Sequence, residues 1–130
     1  MRRAVITGIG IVSSIGDNQE QILDSLKKCR SGITFAEEYA AMGFRSHVHG
    51  MPRIDLDAAI DRKIRRFMGD GAAYNYIAMQ EAIEDSGLTI NEISHERTGL
   101  IMGSGGPSTK NLIQAADSAR ERGPKKIGPF

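Results

Sequence analysis

The chain opens Arg3-Ala-Val-Ile-Thr-Gly-Ile-Gly-Ile-Val-Ser-Ser-Ile-Gly16, and no other stretch restricts the possible folds so much. Ala4 to Thr7 is a short apolar, β-branched run that stops at a glycine, the pattern of a strand buried on both faces. Gly8 and Gly10 permit either a turn with positive φ or close approach of the backbone to another element. One reading of that geometry is a dinucleotide loop. The other is a structural strand followed by a tight turn.

The dinucleotide reading implies a nucleotide-binding oxidoreductase domain of Rossmann type, and three residue-level observations weigh against it. Ser13 stands where the fingerprint needs its third glycine for helix–strand packing. The next helix starts only at about Asn18, too late for its N-terminus to hold a pyrophosphate. No acidic residue ends a clear second strand, because Glu37 and Glu38 fall in an unpatterned stretch. The structural reading is preferred.

Further along, Asp17 and Asn18 are candidate caps of a surface helix carrying Ile22, Leu23 and Leu26, with Gly32 as its left-handed stop. Phe44 to His49 suggests an edge strand. A long helix is expected from about Phe67 to Ser86, rich in small residues and so packed closely on a sheet. Arg97 to Gly103 is a second strand pattern, followed by Ser104-Gly-Gly-Pro-Ser-Thr109 and a last helix with Leu112, Ile113, Ala116 and Ala119 inward. Two buried strands, each ending in a glycine loop and separated by helices, predict an α/β fold. Residues 1–130 read as a single partial domain with no internal boundary. The closing Ile127-Gly-Pro-Phe130 resembles a turn inside a longer chain more than a frayed end.

The formal charge of +1 argues against general nucleic-acid or membrane-surface binding, so any basic surface must be local. No apolar run approaches the ~20 residues of a membrane span. The single cysteine excludes an intrachain disulfide and suits a reducing compartment, with the cytoplasm as the default. That residue, Cys29, sits among Lys27, Lys28 and Arg30 and reads as a bystander, since no histidine is near it in sequence. His47 and His49 share one side of a strand but lack the further ligands a structural metal site needs. No metal or organic cofactor is expected.

Arg62, Lys63, Arg65 and Arg66 form the most informative surface feature. Read as the start of the long helix, four cations would oppose the macrodipole and repel one another. An acidic or phosphorylated partner would offset both costs. Arg122, Lys125 and Lys126 widen the same patch if the tail folds back.

Six blocks in order, including the opening stretch, Arg30-Ser-Gly-Ile33, Ile60-Asp-Arg-Lys63 with Arg66-Phe-Met68, Asp85-Ser-Gly-Leu88, Gly103-Ser-Gly-Gly106 and Ile127-Gly-Pro-Phe130, resemble the β-ketoacyl-acyl-carrier-protein synthases of type I. The resemblance implies part of the N-terminal half of a thiolase-like layered fold. It implies a homodimeric condensing enzyme that joins an acyl thioester to malonyl-carrier protein, with decarboxylation, in fatty-acid elongation. The family's cysteine nucleophile and two histidines belong beyond residue 130, so this stretch carries no catalytic residue. The resemblance places carrier-protein docking on Arg62, Lys63, Arg66, Arg122 and Lys125, and an acyl-pocket position on Gly106. Pro107 departs from a glycine common in the family. A stand-alone carrier-binding module is the remaining alternative.

Overall fold

The computed structural model describes residues 3–128. The chain divides into two compact units, one of residues up to Asp55 together with Ile77–Gly87, the other of Leu56–Tyr76 and residues from Leu88 onward.

In the first unit, α1 (Gln19–Lys27) begins at Asn18, whose side chain accepts the Gln21 N–H at 3.0 Å and satisfies one of the helix's orphan donors. Ile22 and Ser25 are its buried residues. The Ser25 hydroxyl donates to the Ile15 carbonyl at 2.7 Å, which anchors the preceding loop. The helix is stopped by Cys29, at φ 51°, and not by Gly32 as the sequence suggests. Gly32 is buried for another reason: a Cβ there would lie 2.4 Å from the Ser14 carbonyl oxygen. A side chain in the left-handed region costs about 1 kcal/mol relative to glycine. Cys29→Gly is therefore expected to stabilise the chain by about 0.5–1 kcal/mol, read from the urea midpoint. A lower midpoint would contradict the strain assigned to Cys29.

β1 (Ile33–Phe35) pairs antiparallel with β2 (Val48–Gly50), Thr34 facing His49. Between them lies the short helix α2 (Glu37–Ala41). The His47 ring meets Phe35 edge-on at 6.0 Å, and His49 meets Tyr39 at 5.6 Å. These contacts give both imidazoles a packing role.

The expected strand Ala4–Thr7 does not form. The segment through Val12 has no ladder partner, and Val5 and Ile6 are 79% and 85% exposed. Its glycines instead lie against the C-terminal half of α5 (Asp70–Ser86). A Cβ on Gly8 would lie 2.1 Å from the Ala82 carbonyl oxygen, and one on Gly10 would lie 1.7 Å from that of Ala78. Neither glycine has positive φ, so close approach is the property used. Alternate amides are caught by the same helix: Ile9 N–H donates to Asp85 at 2.9 Å and Ile11 N–H to Glu81 at 2.8 Å. Two extended residues advance about 6.7 Å and four helical residues about 6 Å, so an i, i+4 pair of carboxylates matches an i, i+2 pair of amides.

The second unit contains α3 (Leu56–Ala59), α4 (Arg62–Arg65), the first part of α5, α6 (Ile90–Ile93), α7 (Thr109–Arg122) and a 3-10 turn at Pro124–Lys126. Leu56, Ile60 and Ala73 are its buried apolar residues. The cationic run does not start the long helix. It forms a separate turn capped by Asp61, whose carboxylate accepts the Lys63 N–H at 2.7 Å. The long helix begins at the acidic Asp70, the charge its N-terminus favours. The expected macrodipole conflict is removed because Arg62–Arg65 occupies its own short helix.

Thr89 and Glu92 form a reciprocal capping box on α6. The Thr89 N–H, and then its hydroxyl, hold the Glu92 carboxyl below its ordinary range. α7 starts at Ser108, whose hydroxyl oxygen accepts the Asn111 N–H at 3.3 Å. Leu112 and Ile113, expected inward, are exposed, while Ser118 is buried. The expected strand Arg97–Gly103 is also absent, with Ile101 96% exposed. The chain is a mixed, helix-rich fold with a two-stranded antiparallel sheet, which agrees with the expected mixture of helix and strand, while the two buried strands expected at Ala4–Thr7 and Arg97–Gly103 are not formed among the described residues. A strand requires a hydrogen-bonded neighbour as well as apolar side chains. Among the described residues neither apolar run has one.

Candidate functional site

The basic run supplies cations to two different surroundings. Arg62 and Lys63 on α4, and Arg66 at its C-cap, are exposed. The Arg66 guanidinium lies 4.5 Å from the centroid of the Phe67 ring, a stacking that orients a long side chain at little cost. Arg65 faces inward, with its side chain 19% exposed. Its Nη2 donates to Asp70 at 2.7 Å and its Nη1 to the Met68 carbonyl.

Arg122 ends α7 and Lys125 sits in the 3-10 turn, both exposed. The Ser118 hydroxyl donates to the Lys126 carbonyl at 3.2 Å, so the tail folds back along the end of α7. The structure thus presents the docking candidates on two elements of one unit, α4 and the returned end of α7.

Gly106 lines an apolar cavity of about 890 Å³ together with Phe67, Ala72, Met102, Pro107 and Leu112. The loop that carries it is tightened locally, the Ser104 hydroxyl donating to the Gly106 carbonyl at 2.7 Å. Small residues form the facing wall: Gly69, Gly71 and Ala72 at the start of α5 leave room where larger side chains would fill the space. Phe67 belongs to both features, stacking under Arg66 and lining the cavity. Lys110 and Asn111 also line it, and nothing in their sequence context singled them out.

Asp70 stands beside this cavity and holds two cations, Arg65 at 2.7 Å and Lys110 at 3.2 Å. Partial burial works to raise its carboxyl, but hydrogen bonds from Lys110 and Arg65 prevail and hold it below the ordinary range. A smaller polar hollow of about 340 Å³ lies in the first unit, lined by Ser13, Ser14, Asp24, Arg30 and Arg53 among others. Arg30 there is already engaged by Asp24 at 3.2 Å. Cys29 is exposed and lines neither hollow. Among the described residues, no three His, Cys, Asp or Glu side chains are grouped to hold a metal ion, and no helix is long and apolar enough to cross a membrane. The extended segment at Gly8 and Gly10 lies against the C-terminal half of α5 and not a helix N-terminus, which removes the geometric basis of a dinucleotide cradle.

Residues 1–129 match the family described as the N-terminal domain of beta-ketoacyl synthase, and the chain belongs to that family. Among curated relatives, the 3-oxoacyl-[acyl-carrier-protein] synthase 1 of Haemophilus influenzae is 53% identical over 131 residues, covering 100% of this chain and 32% of the relative. The corresponding synthase 1 of Escherichia coli (strain K12) is 49% identical over 132 residues, again 100% of this chain and 32% of the relative. A 3-oxoacyl-[acyl-carrier-protein] synthase 2 of Vibrio harveyi is 35% identical over 131 residues, 99% of this chain and 31% of the relative. The chain spans about a third of the length of these relatives.

Proposed function

We propose that this chain is the N-terminal part of a 3-oxoacyl-acyl-carrier-protein synthase that extends fatty acids by decarboxylating Claisen condensation. The observation that carries this reading is identity of 49–53% to synthases of type 1 along the whole chain. The reaction then runs on a cysteine and two histidines outside the present sequence, with decarboxylation of malonyl-carrier protein supplying the carbanion that attacks the acyl thioester. The N-terminal part contributes surface and scaffold. In the assembled protein it would form part of a thiolase-like layered half, within a cytoplasmic homodimer.

Arg62, Lys63 and Arg66, with Arg122 and Lys125, are assigned to docking the acidic acyl carrier protein. Their exposure supports this, as does the placement of Arg62 and Lys63 on a short helix separate from α5. Gly106 and the apolar cavity beside it are assigned to the acyl chain. Its apolar lining suits a hydrocarbon.

Rim charges mainly set association rates. Lys63→Glu with Arg66→Glu in the full-length synthase is therefore expected to slow carrier association about tenfold at low salt and to flatten its salt dependence. Stopped-flow binding of fluorescently labelled carrier protein measures both. Association kinetics unchanged at low salt would refute the docking assignment.

A further inference from the structure

Four cations lie within five positions, yet the structure gives one of them a different task. The Arg65 guanidinium is mostly covered and reaches two hydrogen-bond acceptors and a third, ion-paired carboxylate. Its Nη2 donates to Asp70 on α5 at 2.7 Å, and its Nη1 donates to the Met68 carbonyl in the linker. Its Nε lies 3.2 Å from Asp57 on α3, an ion pair without hydrogen-bond alignment. Asp70 then uses its second oxygen to accept from Lys110 in the first turn of α7, at 3.2 Å. One side chain and one carboxylate thereby link α3, α4, α5 and α7.

α4 needs such a link. It is four residues long, and a single turn has too few hydrogen bonds to offset the cost of nucleating a helix. The Asp61 cap fixes one end. Arg65 fixes the other through its inward contacts with Asp70 and Met68. A flexible turn would still offer positive charge, but in no single arrangement.

We infer that Arg65 is a positioning residue, which through Asp57, Asp70 and Lys110 holds α4 so that Arg62, Lys63 and Arg66 meet an acidic carrier protein in one orientation. This rests on the docking assignment made above. The guanidinium is required because its planar fork serves several acceptors at once, whereas an ammonium is a point charge that keeps one or two of them. The charge of residue 65 is therefore secondary to its shape.

That distinction is the test. In the full-length synthase, Arg65→Lys keeps the charge and Arg65→Met removes it. Both are expected to raise KM for carrier-bound substrate about fivefold while kcat is kept. Turnover of a small soluble pantetheine thioester, which needs no protein docking, should be unchanged in both. Asp70→Asn preserves shape and weakens the same link, so it should reproduce the defect and serves as the second variant if Arg65→Met folds poorly. If Arg65→Lys matches the parent while Arg65→Met does not, charge alone matters and the inference is overturned. If turnover of the soluble thioester falls as much as that of the carrier-bound substrate, the residue is a general stability element and the inference is again overturned. Should the Lys63→Glu, Arg66→Glu variant bind carrier normally, the docking assignment fails and this inference with it. Weakened binding there, beside normal KM in Arg65→Lys, Arg65→Met and Asp70→Asn, rejects the inference alone.

Discussion

Gly10→Ala is expected to be among the most destabilising single substitutions in the chain. The added carbon would sit 1.7 Å from the Ala78 carbonyl oxygen and 2.6 Å from the Ala82 nitrogen. Both are backbone atoms inside a 17-residue helix, so no side chain can rotate away. Either the extended segment lifts off α5 or the helix distorts. Overpacking costs of this kind run to about 3 kcal/mol or more when backbone must move, against a total stability of about 5–15 kcal/mol for a typical domain. In a full-length protein about three times as long as this chain, a fall in Tm of about 3–4 °C or more is the expected reading. Gly71→Ala is the control. That position lies in the same helix with nothing within 4 Å of the new carbon, and the substitution should stabilise by about 0.5–1 kcal/mol. Equal effects from the two would show that the close approach at Gly10 is not a constraint.

The second large effect is expected at Glu81. Its two oxygens each accept one backbone N–H at 2.8 Å, from Ile11 in the extended segment and from Gln19 at the start of α1. A carboxylate at that helix start also complements its dipole. Hydrogen bonds to a charged acceptor contribute about 1.5–3 kcal/mol each when shielded, and less where water can substitute. The Ile11 bond is exposed and the Gln19 bond half-buried, so Glu81→Leu should cost about 2–3 kcal/mol in all. Glu81→Gln keeps one good acceptor and should lose roughly half of that. Urea midpoints give the energies, and amide exchange at Ile11 and Gln19 localises them. Exchange at these two amides that does not accelerate in Glu81→Leu would contradict the assigned role.

The local signals that were legible in sequence are those whose cause is also local. Asn18 and Ser108 cap helices because a short polar side chain can reach an amide two or three residues on, and that relation is written in adjacent positions. The docking candidates were equally readable as a cluster of charge. What the sequence could not show was that Arg65 turns inward, because this depends on Asp57 and Asp70 arriving from either side. Strand formation failed as a prediction at Ala4–Thr7 and Arg97–Gly103 for the same kind of reason. An apolar, β-branched run states a propensity, whereas both burial and pairing depend on a neighbour that no run can specify. Gly8 and Gly10 are intermediate. Their pattern announced an unusual backbone requirement, but only the structure distinguishes close approach to a helix from a positive-φ turn.

The docking of the opening segment on α5 also sets an order of events during synthesis. Ile9 and its acceptor Asp85 are separated by 76 residues. At about 5–20 residues per second, translation needs about 4–15 s to deliver that acceptor after Ile9 has been made. Throughout that interval the Ile9 and Ile11 amides lack the carboxylate acceptors they use in the folded chain. The faster residues 70–86 are made, the sooner this segment can be fixed in place, so slower translation through α5 would delay the closure of the first unit.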